Sequence, residues 1–178
     1  MKLPFSRGVK PERDARSGRI VAVMHCILNQ NARDPGAASS KAVSEKILNL
    51  LLGHQAGIYQ LPCPEMVCLG LARTRQKGFT IRDMLANHGG VQCCRRLARS
   101  AADQLEEHRR NHNEIVAIVG GDVQSPGCAV HHGPDPEHGS ALTGESGVFM
   151  KCLDDELRAR GIRIPFLPMR ESSDKLYQ

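Results

Sequence analysis

Ile115-Val-Ala-Ile-Val119, closed by Gly120-Gly121, is the stretch that decides the fold. An apolar, mostly β-branched run with no alternating polar positions reads as a strand buried on both faces, the kind found inside a parallel sheet. The glycine pair ends it. Working backward, Val91 to Arg110 holds strong helix formers, with Leu97, Ala101 and Leu105 at helical spacing and Glu106 and Glu107 beside Arg109 and Arg110. This predicts a surface helix. Ile58-Tyr-Gln-Leu-Pro62 predicts a short strand, stopped by the prolines on either side of Cys63. Val43, Ile47, Leu50 and Leu51 predict a helix that Ser39 or Ser40 caps and that ends near Gly53. Arg19-Ile-Val-Ala-Val-Met-His25 predicts the first strand, with loop chemistry beginning at Cys26. Working forward, a loop rich in Gly, Pro and His reaches about Gly144. A helix over Val148 to Arg160 and a last strand over Ile162 to Leu167 follow. Strands and helices alternate throughout, which predicts an α/β fold: a single three-layer, doubly wound, Rossmann-like and mostly parallel sheet of about four to five strands.

Composition agrees with one domain over residues 19–178 preceded by a tail over 1–18. With 178 residues, 40% of them hydrophobic, the chain has material for one core and no room for a second. Aromatic residues are 3% of the total and Trp is absent, so Val, Ile, Leu, Ala and Met build that core. The same scarcity removes the platforms on which bases stack. The formal charge of +5 sits largely at the amino end, where Lys2, Arg7, Lys10, Arg13, Arg16 and Arg19 outnumber Glu12 and Asp14. A basic tail without apolar periodicity reads as a mobile extension, which argues against nucleic acid as a partner. The tail lacks the apolar stretch of a signal peptide, and Ile20 to Leu28 is too short to cross a bilayer, so no membrane partner and a cytoplasmic location are expected. The composition does not fix an oligomeric state.

In a reducing compartment the seven cysteines are expected to be thiols, metal ligands or catalytic groups. Cys26 follows the first strand, Cys63 the second, and Cys128 lies in the loop after the third. In an open parallel sheet, loops after the strands' carboxyl ends share one edge, so these three should meet. Cys152, beside Val148, Phe149 and Leu153, reads as a small core hydrophobe. Cys93 and Cys94 point in different directions, and Cys68 reads as a loop cysteine. Structural zinc wants four ligands and usually local pairs, yet no Cys-x-x-Cys occurs. Three thiolates with one open position suit a 4Fe–4S cluster.

His25-Cys-Ile-Leu-Asn-Gln-Asn-Ala-Arg-Asp-Pro-Gly36, then Cys63-Pro-Glu-Met with Leu69-Gly-Leu71 and Arg73, then Ser125-Pro-Gly-Cys128, resemble the thiouracil desulfurase family, once grouped as a DUF523-type domain. The resemblance runs from about Arg19 to Cys128. It implies a 4Fe–4S cluster on Cys26, Cys63 and Cys128, and removal of sulfur from a thiocarbonyl at the iron that no cysteine binds. Three departures line the expected pocket: Ala129 after the third cysteine, Ala72-Arg-Thr-Arg75 after Gly-Leu, and Asn29-Gln-Asn31.

Glu65, two residues from Cys63, is a candidate acid–base group or a hydrogen-bond acceptor for loop amides. Ser125 orients substrate or caps a turn. Arg33 and Asp34 are expected to bridge and fix the first loop. His25 is placed to hydrogen-bond a cluster sulfur, while His131, His132 and His138 read as exposed loop residues. Gly120-Gly121-Asp122 lacks the rest of a phosphate-binding fingerprint. The expected function is cluster-dependent desulfuration of a small thiolated molecule such as a thiopyrimidine. The alternatives are a non-enzymatic redox sensor or sulfur carrier, and a thiol enzyme with Cys63 or Cys128 as nucleophile.

Overall fold

A computed structural model of the chain describes residues 15–133 and 142–169. Most of the expected mobile tail, and His138, lie outside the described residues. The elements are β1 (Arg19–Met24), α1 (His25–Leu28), a 3-10 turn (Gln30–Ala32), α2 (Glu45–Gly53), β2 (Gly57–Leu61) and α3 (Pro64–Leu69). They continue with α4 (Ile81–Ala86), α5 (His88–Arg110), β3 (Glu114–Val119), α6 (Val148–Ala159) and β4 (Phe166–Leu167).

The four strands form one parallel sheet in the order β2-β1-β3-β4. From β1 the chain steps to one side to make β2, then crosses back over β1 to make β3 and β4. Crossovers between parallel strands are right-handed as a rule, so the two directions of travel put α2 on one face of the sheet and α5 on the other, where α5 packs against α6. The expected α/β, Rossmann-like three-layer architecture is therefore present, with four strands. Val21 to Met24 and Ile118-Val119 are buried between the helical layers under Leu51, Leu105, Phe149 and Leu153. Burial on both faces is why β1 and β3 carry no polar alternation. Among the described residues no helix is long and apolar enough to cross a membrane.

Several boundaries differ from expectation for identifiable reasons. The last strand does not extend over Ile162 to Leu167; only Phe166 and Leu167 pair with β3. Pro165 lends its carbonyl to Ile118 but has no N–H to continue a ladder. Ser39 and Ser40 do not cap α2, because Ser39 N–H donates to Gln30 Oε1 and Ser40 Oγ to the Val43 carbonyl. The helix starts at Glu45 after Ser44, whose side chain makes no cap bond. His25 opens a short helix instead of ending β1, so Cys26 stands in a helical turn and not in a loop. Two short helices, α3 and α4, lie between β2 and the long helix, and Cys68, expected in a loop, is a helical residue of α3.

The long helix α5 begins three residues earlier than expected, despite Gly89-Gly90. Asn87 Oδ1 accepts the Gly90 N–H at 2.9 Å. A Cβ at Gly90 would stand 2.2 Å from the Met84 carbonyl oxygen. Only glycine lets α4 and α5 approach this closely.

Candidate cysteine site

The connections after β2, β1 and β3, three neighbouring strands, deliver Cys63, Cys26 and Cys128 to one edge of the sheet. That edge includes the point between β1 and β3 where the direction of the connections reverses, the usual ligand crevice of open α/β sheets. All three thiols line one pocket of about 330 Å³, together with Glu65, Arg73, Ser125, Arg33 and Asp122. The volume is at the low end for small-molecule sites.

Each cysteine is held by local structure. Pro64 at the first position of α3 fixes the helix start, and Cys63 Sγ accepts the Met66 N–H at 3.5 Å from the N-cap position. The Cys26 carbonyl accepts from Gln30 Nε2 at 2.7 Å, and Gln30 Oε1 in turn accepts the Ser39 N–H, which folds the first loop back over the cysteine. Gly121 N–H donates to the Cys128 carbonyl at 3.0 Å, closing the third loop on itself. A Cβ at Gly121 would meet Cys128 Sγ at 2.4 Å and Cys26 Sγ at 3.7 Å, so both sulfurs face the space that this glycine leaves open. The glycine pair after β3 thus serves the cysteine loop.

Glu65 joins two of the three loops and is buried. Its Oε1 accepts from Ser125 Oγ at 2.7 Å and from the Gly127 N–H at 3.2 Å, and its Oε2 lies 3.5 Å from Arg73 Nε. Ser125 Oγ also accepts the Cys128 N–H at 3.2 Å and lies 3.1 Å from Cys128 Sγ. Ser125 therefore caps its turn and also touches a thiol, while Glu65 binds a loop amide and also faces the pocket. Arg33 reaches Asp122 at 3.1 Å, so the bridge expected with Asp34 is made instead to the loop after β3.

Burial sets the state of the thiols. Desolvation, then the neighbouring Cys63, pushes Cys26 up to about 11. Burial also raises Cys63, and burial with the adjacent Cys26 raises Cys128 well above the ordinary thiol value. A cysteine nucleophile needs its thiolate stabilised near neutral pH, and these surroundings do the reverse. Metal ligation displaces thiol protons outright, so it remains open to all three.

Among the described residues, no group of three or more His, Cys, Asp or Glu side chains is close enough to hold a single metal ion. In a 4Fe–4S cluster each cysteine sits on a different iron, so its ligands stand farther apart than those sharing one ion. The donor set of three thiols and the gap beside Gly121 fit such a group better than one zinc ion.

Other cysteines have other partners. Cys68 of α3 and Cys93 of α5 form a disulfide, with Cα atoms 5.9 Å apart. The cysteines were expected to be thiols or ligands; two adjoining helices with their Cα atoms within bridging range supply the reason for this pair. Cys94 and Cys152 are buried, Cys152 as the core residue expected from its neighbours. His25 does not serve the cysteines: its ring nitrogens face Gln60 Nε2 at 3.1 Å and Asn29 Nδ2 at 3.3 Å. His131 is partly buried, with Nε2 2.8 Å from the Val123 carbonyl, and His132 is also partly buried, so neither is a freely exposed loop residue. Sequence reasoning gave no role to Gln30, Arg73, Gly121 or Asp122. The signals for them were the motif in which Gln30 and Arg73 stand and the glycine pair that Gly121 closes and Asp122 follows.

Over 100 residues the chain is 30% identical to uncharacterized protein MJ0003 of Methanocaldococcus jannaschii, a match covering 56% of this chain and 62% of that protein. The match thus spans less than two thirds of the relative's length. No protein-family profile matches the chain. No solved structure matches it.

Proposed function

We propose that this protein holds a 4Fe–4S cluster on Cys26, Cys63 and Cys128 and removes sulfur from a small thiolated molecule, a thiopyrimidine being the type substrate. The observation that carries the reading is the convergence of three thiols from the connections after three adjacent strands on one small pocket that also contains Glu65 and Ser125. The sequence resemblance to the thiouracil desulfurases points the same way.

The reaction is a hydrolysis: water supplies the oxygen that replaces sulfur on the carbon, and the sulfur leaves as hydrosulfide, with no net oxidation. Bound at the three cysteines, the cluster would supply a Lewis-acidic iron open to the substrate's sulfur. The chain's own residues manage protons and geometry. Ser125 Oγ stands between Cys128 Sγ at 3.1 Å and Glu65 Oε1 at 2.7 Å. A proton released from water in the pocket passes by way of Ser125 Oγ to Glu65 Oε1, a general-base arrangement. Arg33, held by Asp122, and the buried Arg73 place positive charge around the site where hydrosulfide develops.

The test is anaerobic purification and reconstitution with iron and sulfide, followed by an assay of sulfide release from thiolated pyrimidines. Brown protein with about four irons per chain and sulfide release is expected. Colourless protein, or stoichiometric zinc in place of iron, rejects the cluster. An iron-loaded protein that releases no sulfide rejects the desulfidase and leaves the sensor or sulfur carrier.

A further inference from the structure

Arg73 has an unusual combination of features. It follows Gly70 in the turn that ends α3, and its φ of 51° lies in the left-handed region. A long side chain there costs on the order of 1 kcal/mol or more, and such strain persists where the surroundings over-determine it. Here the surroundings are the guanidinium's own partners. The side chain is 2% exposed. Nη1 donates to the Leu71 carbonyl at 2.9 Å. Nη2 donates to the Ala32 carbonyl in the loop after β1 and faces Cys63 Sγ at 3.8 Å. Nε, buried and without a hydrogen-bond partner, is turned toward Glu65 Oε2 at 3.5 Å.

One planar, permanently charged group thus touches the loop that carries Cys26, the sulfur of Cys63, and the carboxylate that binds the Cys128 loop. We propose that Arg73 is the positioning residue of this site, holding Cys63 Sγ in register with the other two cysteines and donating a charged hydrogen bond to that sulfur when it is a ligand. The proposal rests on the cluster reading above. Arg is suited to the task because its fork reaches several acceptors at fixed angles, which the single ammonium of Lys cannot do. A hydrogen bond and a cation beside a ligand sulfur stabilise the reduced, more negative cluster.

The experiment compares wild type, Arg73→Lys and Arg73→Asn, using the full chain with and without iron. Asn accepts the left-handed backbone, so it removes the guanidinium without adding strain. Should the Asn variant not fold, the Lys variant, which keeps the charge, carries the test. In iron-loaded protein, both variants are expected to lose iron to a chelator roughly 10- to 100-fold faster, the scale of losing a partner of a metal ligand. The reduction midpoint is expected to move to more negative potential, farther for Asn than for Lys. A purely structural role would lower the melting temperature and leave that potential unmoved. Unchanged potential and iron retention in a folded variant overturn the proposal. In iron-free protein, Arg73→Asn and Cys63→Ala are expected to destabilise non-additively. Additive effects overturn the contact with Cys63 even if iron loads normally. A wild type that takes up no iron rejects the cluster reading instead, and with it the role of Arg73 toward a ligand.

Discussion

Replacing Gly121 by Ala separates the proposed cluster site from the fold that would carry it. The backbone of Gly121 needs no glycine for its φ, so the added methyl is judged by space alone. A Cβ there would lie 2.4 Å from Cys128 Sγ, whereas nonbonded heavy atoms settle at roughly 3.5–4.0 Å. The sulfur or its loop must therefore shift by about 1 Å or more. Iron-free protein absorbs the shift by turning the Cys128 side chain, at about 1–3 kcal/mol for overpacking a tight site. A metal ligand has far less latitude, since ligand distances hold within about 0.2 Å. Gly121→Ala should accordingly fold with a modestly lowered melting temperature and take up little iron. The assay is iron and acid-labile sulfide per chain after anaerobic reconstitution, beside a thermal melt of the iron-free protein. Gly53→Ala, where an added Cβ meets nothing within 4 Å, is the control and should load normally. Full iron loading in Gly121→Ala would refute the placement of the cluster between these sulfurs.

Cys26→Ser, Cys63→Ser and Cys128→Ser should each lose most of the iron, whereas Cys152→Ala should keep it and lose about 1 kcal/mol of stability by denaturant unfolding; equal iron content across the set rejects the assignment. Glu65→Gln should keep the visible absorption and slow sulfide release by roughly a hundredfold or more, because Gln retains an acceptor for Ser125 and Gly127 but cannot take a proton; normal turnover removes the acid–base role. Cys68→Ser should retain iron yet lose about 3 kcal/mol, the scale for opening a loop with a sequence separation of 25, and a loss of iron instead would enlarge the site. Alkaline melts should show stability full below pH 9 and falling as pH rises toward 12. Burial, then the neighbouring Cys152, pushes Cys94 up to about 12, so the unfolded chain ionises a thiol that the folded chain keeps neutral. Cys94→Ala should flatten that fall.

Much of the fold was legible because its strands announce themselves. Val21 to Met24 and Ile118-Val119 are buried on both faces, and a parallel sheet demands this of its central strands, so their apolar runs are long and uninterrupted. The edges were harder to read. β4 pairs through two residues only, and its apolar neighbours Ile162 and Ile164 contribute to the core without joining the ladder. Hydrophobicity signals burial, and burial alone does not distinguish a strand from an apolar connection. The helices α3 and α4 are too short for periodicity to register, and their signals are capping signals: Pro64 at a first helical position, and Thr80 with Asp83 in a reciprocal box.

Topology made the cysteine constellation readable across long sequence separations, since each thiol needed only to follow a strand. The polar frame around it has no such rule. Glu65 is linked to Ser125 of another connection by a hydrogen bond and to Arg73 of its own by an ion pair, and nothing local in the sequence of Arg73 marks it as buried. A guanidinium normally stays in water, because burying it requires compensating partners. Here the partners are the Ala32 carbonyl, from the connection after β1, and Cys63 Sγ and Glu65, from the same connection after β2 that carries Arg73. The sheet thus places the sulfurs, and contacts between the loops set their distances. Substitutions at Gly121 or Arg73 should accordingly affect iron more than folding, while substitutions along β1 or β3 should affect folding first.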